Sequence, residues 1–371
     1  MNIIHYNPIG NKTIADYIDT LNESMGKDNV CRTVNTLMKF RSEIKRQPAD
    51  IVNIHGCWHH SMAMAASMAV SHGARVVVTP HGQLEPWILR HRRFTQKLLQ
   101  RLLYQRRIVG RAYAVIVMGE MELGNLKRLG WTRRIETIPC SLFTSSITDG
   151  EMAGQTMRVY RKILDTNVLP LMDSTTTSAM HSLFKAAVTA DGRWLDDDER
   201  LALSSLDDRQ WRQLEIYGHH TATLHYIRQG AENIGLPLPD FHPETIACYP
   251  PRHAVGDKGR EPVEPLPTDA HGQHTPAHVI DMIKSLRHKV RHHTFGMADV
   301  VQLSATLYRL RTDEDEVRYR LDDKQLTKFM SRLMHIVGHF TLLPEGFFIV
   351  SPLADRKTRK IQKSILKQLE I

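Results

Sequence analysis

The sequence predicts an α/β fold: a doubly wound, Rossmann-like parallel sheet at the N-terminus, followed by a mostly α-helical C-terminal region. Three observations carry this expectation. Apolar, β-branched runs alternate with amphipathic helical patterns through the first 140 residues. The runs are apolar over their whole length, as strands covered on both faces require. After Cys140 such runs almost vanish while helical periodicity continues.

The elements follow in order. Residues 1–6 (MNIIHY) form a strand, NPIGN a turn, and Lys12 to Met25 a helix with Ile14, Ile18, Leu21 and Met25 on one face. Asn29 to Val34 is a second strand, Thr36 to Lys45 a helix and Ile51 to His55 a third strand. Small apolar residues from Ser61 to Val70 suit a closely packed helix that His72-Gly73 ends. Then come a strand at 74–79, a long helix at 88–109, a strand at 112–118, a helix at 120–129 closed by Gly130, and a last strand at 135–139. Domain boundaries are accordingly expected at 1–145, 146–235, 236–277 and 278–371. The third segment is rich in proline, with Gly256, Gly259 and Gly272, and reads as a linker or long surface loop. In the second half Asp196 and Asp207 are helix starts, the latter opening a helix that ends at Gly235. Further helices are expected at 278–292, 297–310, 323–339 and 355–369, and Phe347 to Val350 is the one convincing short strand.

At 371 residues, with 42% hydrophobic and 24% charged side chains, the chain has an ordinary globular composition, which excludes a collagen, a coiled-coil rod or a wholly disordered polymer. The longest uncharged apolar stretch, Met62 to Val70, falls short of the roughly 20 residues that a helical membrane span needs. The opening MNIIHYNPIG lacks the basic-then-apolar layout of a signal peptide, so no export signal is expected. Cys31, Cys57, Cys140 and Cys248 are far apart without a CxxC pair, which points away from a disulfide scaffold or thiolate zinc site and towards a reducing cytoplasm.

The net charge of +9 is unevenly placed. Residues 1–150 hold 20 Lys+Arg against 11 Asp+Glu, whereas residues 151–371 hold 29 of each. Arg90, Arg92, Arg93, Lys97, Arg101, Arg106, Arg107 and Arg111 occur with no acidic residue between Glu85 and Glu120. A patch of one sign either meets an anionic partner or is a solvated face.

In an open parallel sheet, ligands bind beyond the carboxyl ends of the strands. Three loops qualify. Asn7 to Asn11 leads into a helix whose first N–H groups can hold a phosphate, with Gly10 at the turn; a single glycine there is also common without any ligand. The others are His55-Gly56-Cys57-Trp58-His59 and the stretch from Thr79 to Trp87. Trp58 and Trp87 suit packing at the sheet edge better than stacking on a ligand.

IVNIHGCWHH, then ARVVVTPHGQLEPWILRHRR, AYAVIVMGEMELGNLKRLGW and RIETIP, in this order, closely resemble the N-terminal half of GT-B glycosyltransferases of the family 4 type. The resemblance covers roughly the first 140 residues. It implies a sugar transferred from a nucleotide-sugar donor to a glycan or lipid-linked acceptor, without a bound metal or other cofactor, the N-terminal domain being the acceptor side. By position it makes His81 the catalytic-site histidine that touches the donor sugar. It assigns Gly10 to the first-loop glycine region and Glu122 to the helix-start segment usually written SE; these two, with Asn11, His55 and Gly82 from the three strand-end loops, are the substrate-binding candidates.

The residues themselves agree for His81. An imidazole at a strand's carboxyl end, beside a glycine that permits close approach, can hydrogen-bond a sugar hydroxyl or share a developing proton. The same TPHG also reads as a tight surface turn. Relatives of this type often rest on anionic lipid through a basic helix, and Arg92, Arg93, Lys97, Arg106 and Arg107 are the membrane-surface candidates. An ordinary solvated helix face is the alternative. Nucleic acid is not an expected partner, because no stacking pattern or known motif accompanies the charge.

The resemblance stops after IPCSLF. The GR-plus-lysine motif that neutralises the leaving diphosphate does not follow; MRVYRKIL has basic residues but neither glycine nor a preceding strand. Pro344 to Val350 (PEGFFIV) looks like a donor-side fragment, but Leu353 stands where a second glutamate is needed. The histidine pairs His55/His59, His274/His278, His288/His292 and His335/His339 lack the further ligands that zinc requires, and no metal is expected. Two functions therefore stand: a membrane-peripheral, cytoplasmic glycosyltransferase-like protein, or a non-catalytic binding or scaffold protein that retains the acceptor-domain fold.

Overall fold

The computed structural model describes residues 1–26, 28–85, 97–250 and 274–367. The chain divides into two compact units: residues 1–166 with 247–249, and residues 167–246 with 250–371.

The first unit is built on six strands, β1 (Asn2–Tyr6), β2 (Val30–Val34), β3 (Ile51–His55), β4 (Arg75–Thr79), β5 (Ala114–Val117) and β6 (Ile135–Thr137). They are ordered β2-β1-β3-β4-β5-β6 and every pair is parallel. The helices are α1 (Lys12–Ser24), α2 (Leu37–Arg46), α3 (Ser61–Ser71), α4 (Lys97–Arg111), α5 (Glu120–Leu129) and α6 (Asp149–Asp165). This is the doubly wound, Rossmann-like sheet that the sequence predicts. The first nine residues of the long helix expected at 88–109 lie outside the described residues.

Alternation along the strands gives each face its own core. Ile4, Tyr6, Val52, Ile54, Val76, Val78, Val115 and Val117 pack with Phe40 and Ile44 of α2, Met62, Ala65 and Ala69 of α3, and Leu126 of α5. Ile3, Ile51, Val77, Ala114 and Ile116 pack on the opposite face with Tyr17, Ile18 and Leu21 of α1 and Met152, Tyr160 and Ile163 of α6. MRVYRKIL therefore belongs to α6, which starts at a Thr148/Glu151 capping box and closes this second face. Towards the carboxyl ends of the strands that face turns polar: His5 pairs in register with Asn53, and His55 with Thr79.

The second unit is helical: α7 (Ser174–Thr189), α8 (Asp197–Ser204), α9 (Asp208–Thr221), α10 (Leu224–Asn233), α11 (Pro276–Arg291), α12 (Met297–Arg309), α13 (Glu314–Asp323), α14 (Thr327–Thr341) and α15 (Arg356–Lys367). α7 is central, packed by α8, α9, α10, α12 and α14. Its approach to α10 is closed by Gly230, where an added Cβ would lie 2.1 Å from the carbonyl oxygen of Leu183.

Three expectations for this half are corrected. The single helix from Asp207 to Gly235 is two, because Ala222 adopts a left-handed φ of 57° and the Thr223 N–H turns back to the Gly218 carbonyl at 2.8 Å. The helix expected at 323–339 begins later, since Asp323 ends α13; Gln325 has a φ of 53° and the Leu326 N–H bonds the Leu321 carbonyl at 2.8 Å. Phe347 to Val350 is not a strand. Residues 345–347 make a single 3-10 turn, Phe347 packs edge-on against Trp194 and against Tyr308, and Arg318 donates to the Ile349 carbonyl. Of the proline-rich segment, residues 251–273 lie outside the described residues; Tyr249 packs in the first unit, its hydroxyl donating to Glu136 at 2.7 Å.

Candidate functional site

The order β2-β1-β3 reverses the winding at β1, so the loops after β1 and β3 diverge and leave a crevice at the strands' carboxyl ends. His5 and His55 stand at this end of the sheet. β1 ends one residue after His5 and β3 ends on His55, on the same face of the sheet because the register pairs His5 with Asn53, two residues before His55.

The outcome is a chain of three imidazoles. Nδ1 of His5 lies 2.9 Å from Nε2 of His55, and Nδ1 of His55 lies 2.9 Å from Nε2 of His81. His5 and His55 are wholly buried and His81 is partly exposed. Burial holds all three neutral: His5 is pushed down to about 4 and His81 to about 3, and His55 lies well below the usual histidine range through burial and its two histidine neighbours. Tyr17 of α1 meets the His81 ring edge-on with centroids 5.0 Å apart. Beside the histidines, Thr79 donates to Asn53 at 2.9 Å and Asn53 donates to the Tyr160 hydroxyl at 2.8 Å, so the polar end of this face is cross-linked to α6.

The turn that presents His81 is held from below. Pro80 to Gln83 closes with a Gln83 N–H to Pro80 carbonyl bond of 3.2 Å, and both central residues, His81 and Gly82, have positive φ (53° and 76°). Glycine suits that geometry, while histidine there carries backbone strain that the surrounding bonds must hold. Glu122, 1% exposed at the start of α5, accepts the Leu84 N–H at 3.2 Å, and Asn125 donates to the Leu84 carbonyl at 2.5 Å. Burial pushes the Glu122 carboxyl up to about 7, against the backbone N–H groups of Leu84, Gly82 and Met118, which favour its charged form.

Neighbouring loops are joined to the same turn. Gln83 accepts the Cys57 N–H at 2.8 Å, and the Trp58 indole donates to the Gln83 carbonyl at 3.1 Å. Trp58, at a φ of 72°, also donates its backbone N–H to Gln105 of α4. Gly56 packs under the loop after β1: an added Cβ would lie 2.3 Å from Cδ1 of Ile9.

The structure thus brings His55, His81, Gly82 and Glu122 into one assembly. Gly10 and Asn11 stand exposed on the adjoining loop; Gly10 has a φ of 68°, and the Asn11 side chain caps α1 by accepting the Thr13 N–H at 2.8 Å. Arg106 and Arg107 lie on the exposed side of α4, whose buried side holds Gln105, Ile108 and Val109. Lys97 opens α4, and Arg92 and Arg93, like Trp87, lie outside the described residues. His5, Tyr17 and Gln83 were not foreseen. The signal for His5 was available: a histidine inside an otherwise apolar strand, matching His55 in parity.

Among the described residues, no group of three or more His, Cys, Asp or Glu side chains is arranged to hold a metal ion, and no helix is long and apolar enough to cross a membrane. His59 instead pairs with Ser61 at 2.6 Å, and Ser61 accepts from Tyr6. None of the four cysteines is in a disulfide among the described residues.

Residues 22–145 match the family model described as Glycosyltransferase Family 4, and the C-terminal half matches no family model. No curated protein and no solved structure matches the chain. The matched span runs from the end of α1 past β6 and includes His55, His81, Gly82 and Glu122; Gly10 and Asn11 precede it. The protein is glycosyltransferase-like over this region.

Proposed function

We propose that the chain transfers a sugar from a nucleotide-sugar donor to a glycan or lipid-linked acceptor at the cytoplasmic face of a membrane. The observation that carries this reading is His81, set on a strained turn at the carboxyl end of β4, partly exposed, and backed by buried His55 and, behind it, buried His5; His55 and His81 lie within the family-matched region and His5 precedes it. A neutral imidazole held this firmly suits hydrogen bonding to a sugar oxygen. Glu122 acts by fixing the turn, and Gly10 and Asn11 line the neighbouring loop. The cationic side of α4, with Arg106 and Arg107 exposed, suits an anionic lipid surface.

A second reading is favoured by the second unit, whose described residues form helices and no donor-side βαβ lobe. On that reading the first unit binds a sugar-bearing ligand without transferring it. One experiment separates the two. Thermal unfolding is followed with a panel of nucleotide sugars, and release of the nucleotide is assayed with lipid-linked and soluble glycan acceptors. Ligand at 100 times Kd stabilises by about 2.7 kcal/mol. Stabilisation with turnover supports transfer, stabilisation without turnover supports the binding reading, and no stabilisation by any nucleotide or nucleotide sugar rejects the first proposal.

A further inference from the structure

Each neutral imidazole carries one proton and one lone pair, so a chain of three has only two self-consistent proton arrangements. In one, His5 donates from Nδ1 to Nε2 of His55, and His55 donates from Nδ1 to Nε2 of His81. Every ring then holds its proton on Nδ1, and the outer ring offers Nδ1–H to whatever lies beyond it. In the other, every ring holds its proton on Nε2, the bonds run inward, and His81 offers a bare Nδ1 lone pair.

The inner end of the chain decides between them. Nε2 of His5 is buried and has no hydrogen-bond partner among the described residues. The inward arrangement would place an N–H there with no acceptor, among the rarest defects of folded proteins, while the outward arrangement leaves only a lone pair, which is tolerated more often. At the other end His81 is partly exposed, so its Nδ1–H can be met by water or a ligand oxygen. The depressed basicity of all three rings removes the alternative of a doubly protonated member.

We propose that His5 is a positioning residue which, through His55, locks His81 with its proton on Nδ1, so that His81 is a hydrogen-bond donor to a ligand oxygen and not a base. His5 does this by occupying Nε2 of His55 with its own N–H and by ending the chain where the described residues offer no acceptor. The identity of the ligand oxygen as a sugar hydroxyl rests on the function proposed above; the proton arrangement does not.

The test is nitrogen-15 NMR of the histidine rings in the full chain near pH 7.5, which distinguishes the two tautomers from the shifts and couplings of each ring nitrogen. Protonated Nδ1 and bare Nε2 are expected at His5, His55 and His81. Protonated Nε2 at His81 in the unaltered protein would overturn the proposal. In His5→Ala the vacated space admits water to Nε2 of His55, and His81 is expected to lose its pure Nδ1–H signature; an unchanged His81 in a folded H5A would remove the role given to His5. If H5A does not fold, the unaltered protein's own spectrum still decides the arrangement. Nδ1–H at all three rings without any binding of nucleotide sugars would leave this assignment standing and remove the proposed function alone.

Discussion

The side-chain oxygen of Gln83 accepts the backbone N–H of Cys57 at 2.8 Å, which fastens the turn after β4 to the loop after β3. Gly56, immediately before Cys57, makes that approach possible, because its φ of 84° is one that side chains resist and its α-carbon faces Ile9. Gly56→Ala should destabilise the protein by about 1–3 kcal/mol, combining backbone strain with displacement of Ile9. Gly10→Ala should cost about 1 kcal/mol, since Gly10 has a similar φ but open space around its α-carbon. Urea unfolding of both variants checks the difference. Equal losses would mean that contact between the two loops contributes nothing.

The neutral histidines make stability depend on pH with a definite sign. Their pKa values in the folded chain lie below the ordinary value near 6.5, so between about 6.5 and 4 the unfolded chain binds protons that the native one refuses. Stability should therefore be full above pH 6.5 and fall as pH drops towards the folded values, by up to about 1.4 kcal/mol per pH unit for each ring. His5→Leu should flatten that slope. A urea series from pH 7.5 to 4.5 measures it, and parallel curves for H5L and the unaltered chain would contradict the burial argument.

Glu122 contributes with the opposite sign. Its pKa is raised to about 7, so its stabilising influence is present below about pH 4.5 and is lost as pH rises through 7, where a buried charge forms. Glu122→Gln keeps the oxygen that accepts the Leu84 N–H and cannot ionise. At pH 8 it should be more stable than the unaltered chain by about 1–3 kcal/mol, with the gap closing towards pH 5. Glu122→Ala, which leaves the Leu84 N–H unmet, should lose about 1–3 kcal/mol at both. A pH-independent difference for E122Q would show that the carboxyl is already ionised at pH 5.

The sheet was legible because its strands are apolar throughout and its helices show one buried face each; strand positions and even the polar turn at His81 follow from that pattern. The histidine chain was only half legible. His55 and His81 stand in loops or at strand ends, where ligand residues are sought, but His5 lies inside a strand and joins them only through register, which a linear reading does not supply. The corrections in the second unit share another cause. Ala222 and Gln325 adopt left-handed backbone without being glycine or asparagine, so the ends of α9 and the start of α14 carry no residue-type signal. Glu122 shows the limit of motif reading: position named it, whereas in the fold its carboxylate faces the backbone of the His81 turn.

If His81 donates from Nδ1, its replacements should rank by geometry. Asparagine places its amide nitrogen near the site of Nδ1 and tolerates left-handed backbone, so His81→Asn should retain nucleotide-sugar binding within a few-fold. Glutamine reaches the position of Nε2 and leaves the outward donor missing, so His81→Gln should bind about tenfold more weakly, the value of one lost hydrogen bond. Titration calorimetry on both variants gives the ranking. The reverse order would assign the outward nitrogen an accepting role.

Arg106 and Arg107 project from a helix whose opposite side, Gln105, Ile108 and Val109, is buried in the first unit, so they can be changed without disturbing the core. Arg92, Arg93, Arg106 and Arg107 carry four of the nine excess positive charges of the chain. Each is worth about 1 kcal/mol at an anionic surface, so replacing all four by glutamine should weaken sedimentation with phosphatidylserine vesicles by at least a hundredfold at low salt, with the loss shrinking as salt rises. Binding to neutral phosphatidylcholine vesicles should not change. Undiminished binding to anionic vesicles by a folded quadruple variant would remove the lipid-surface role and leave the charge as a solvated face.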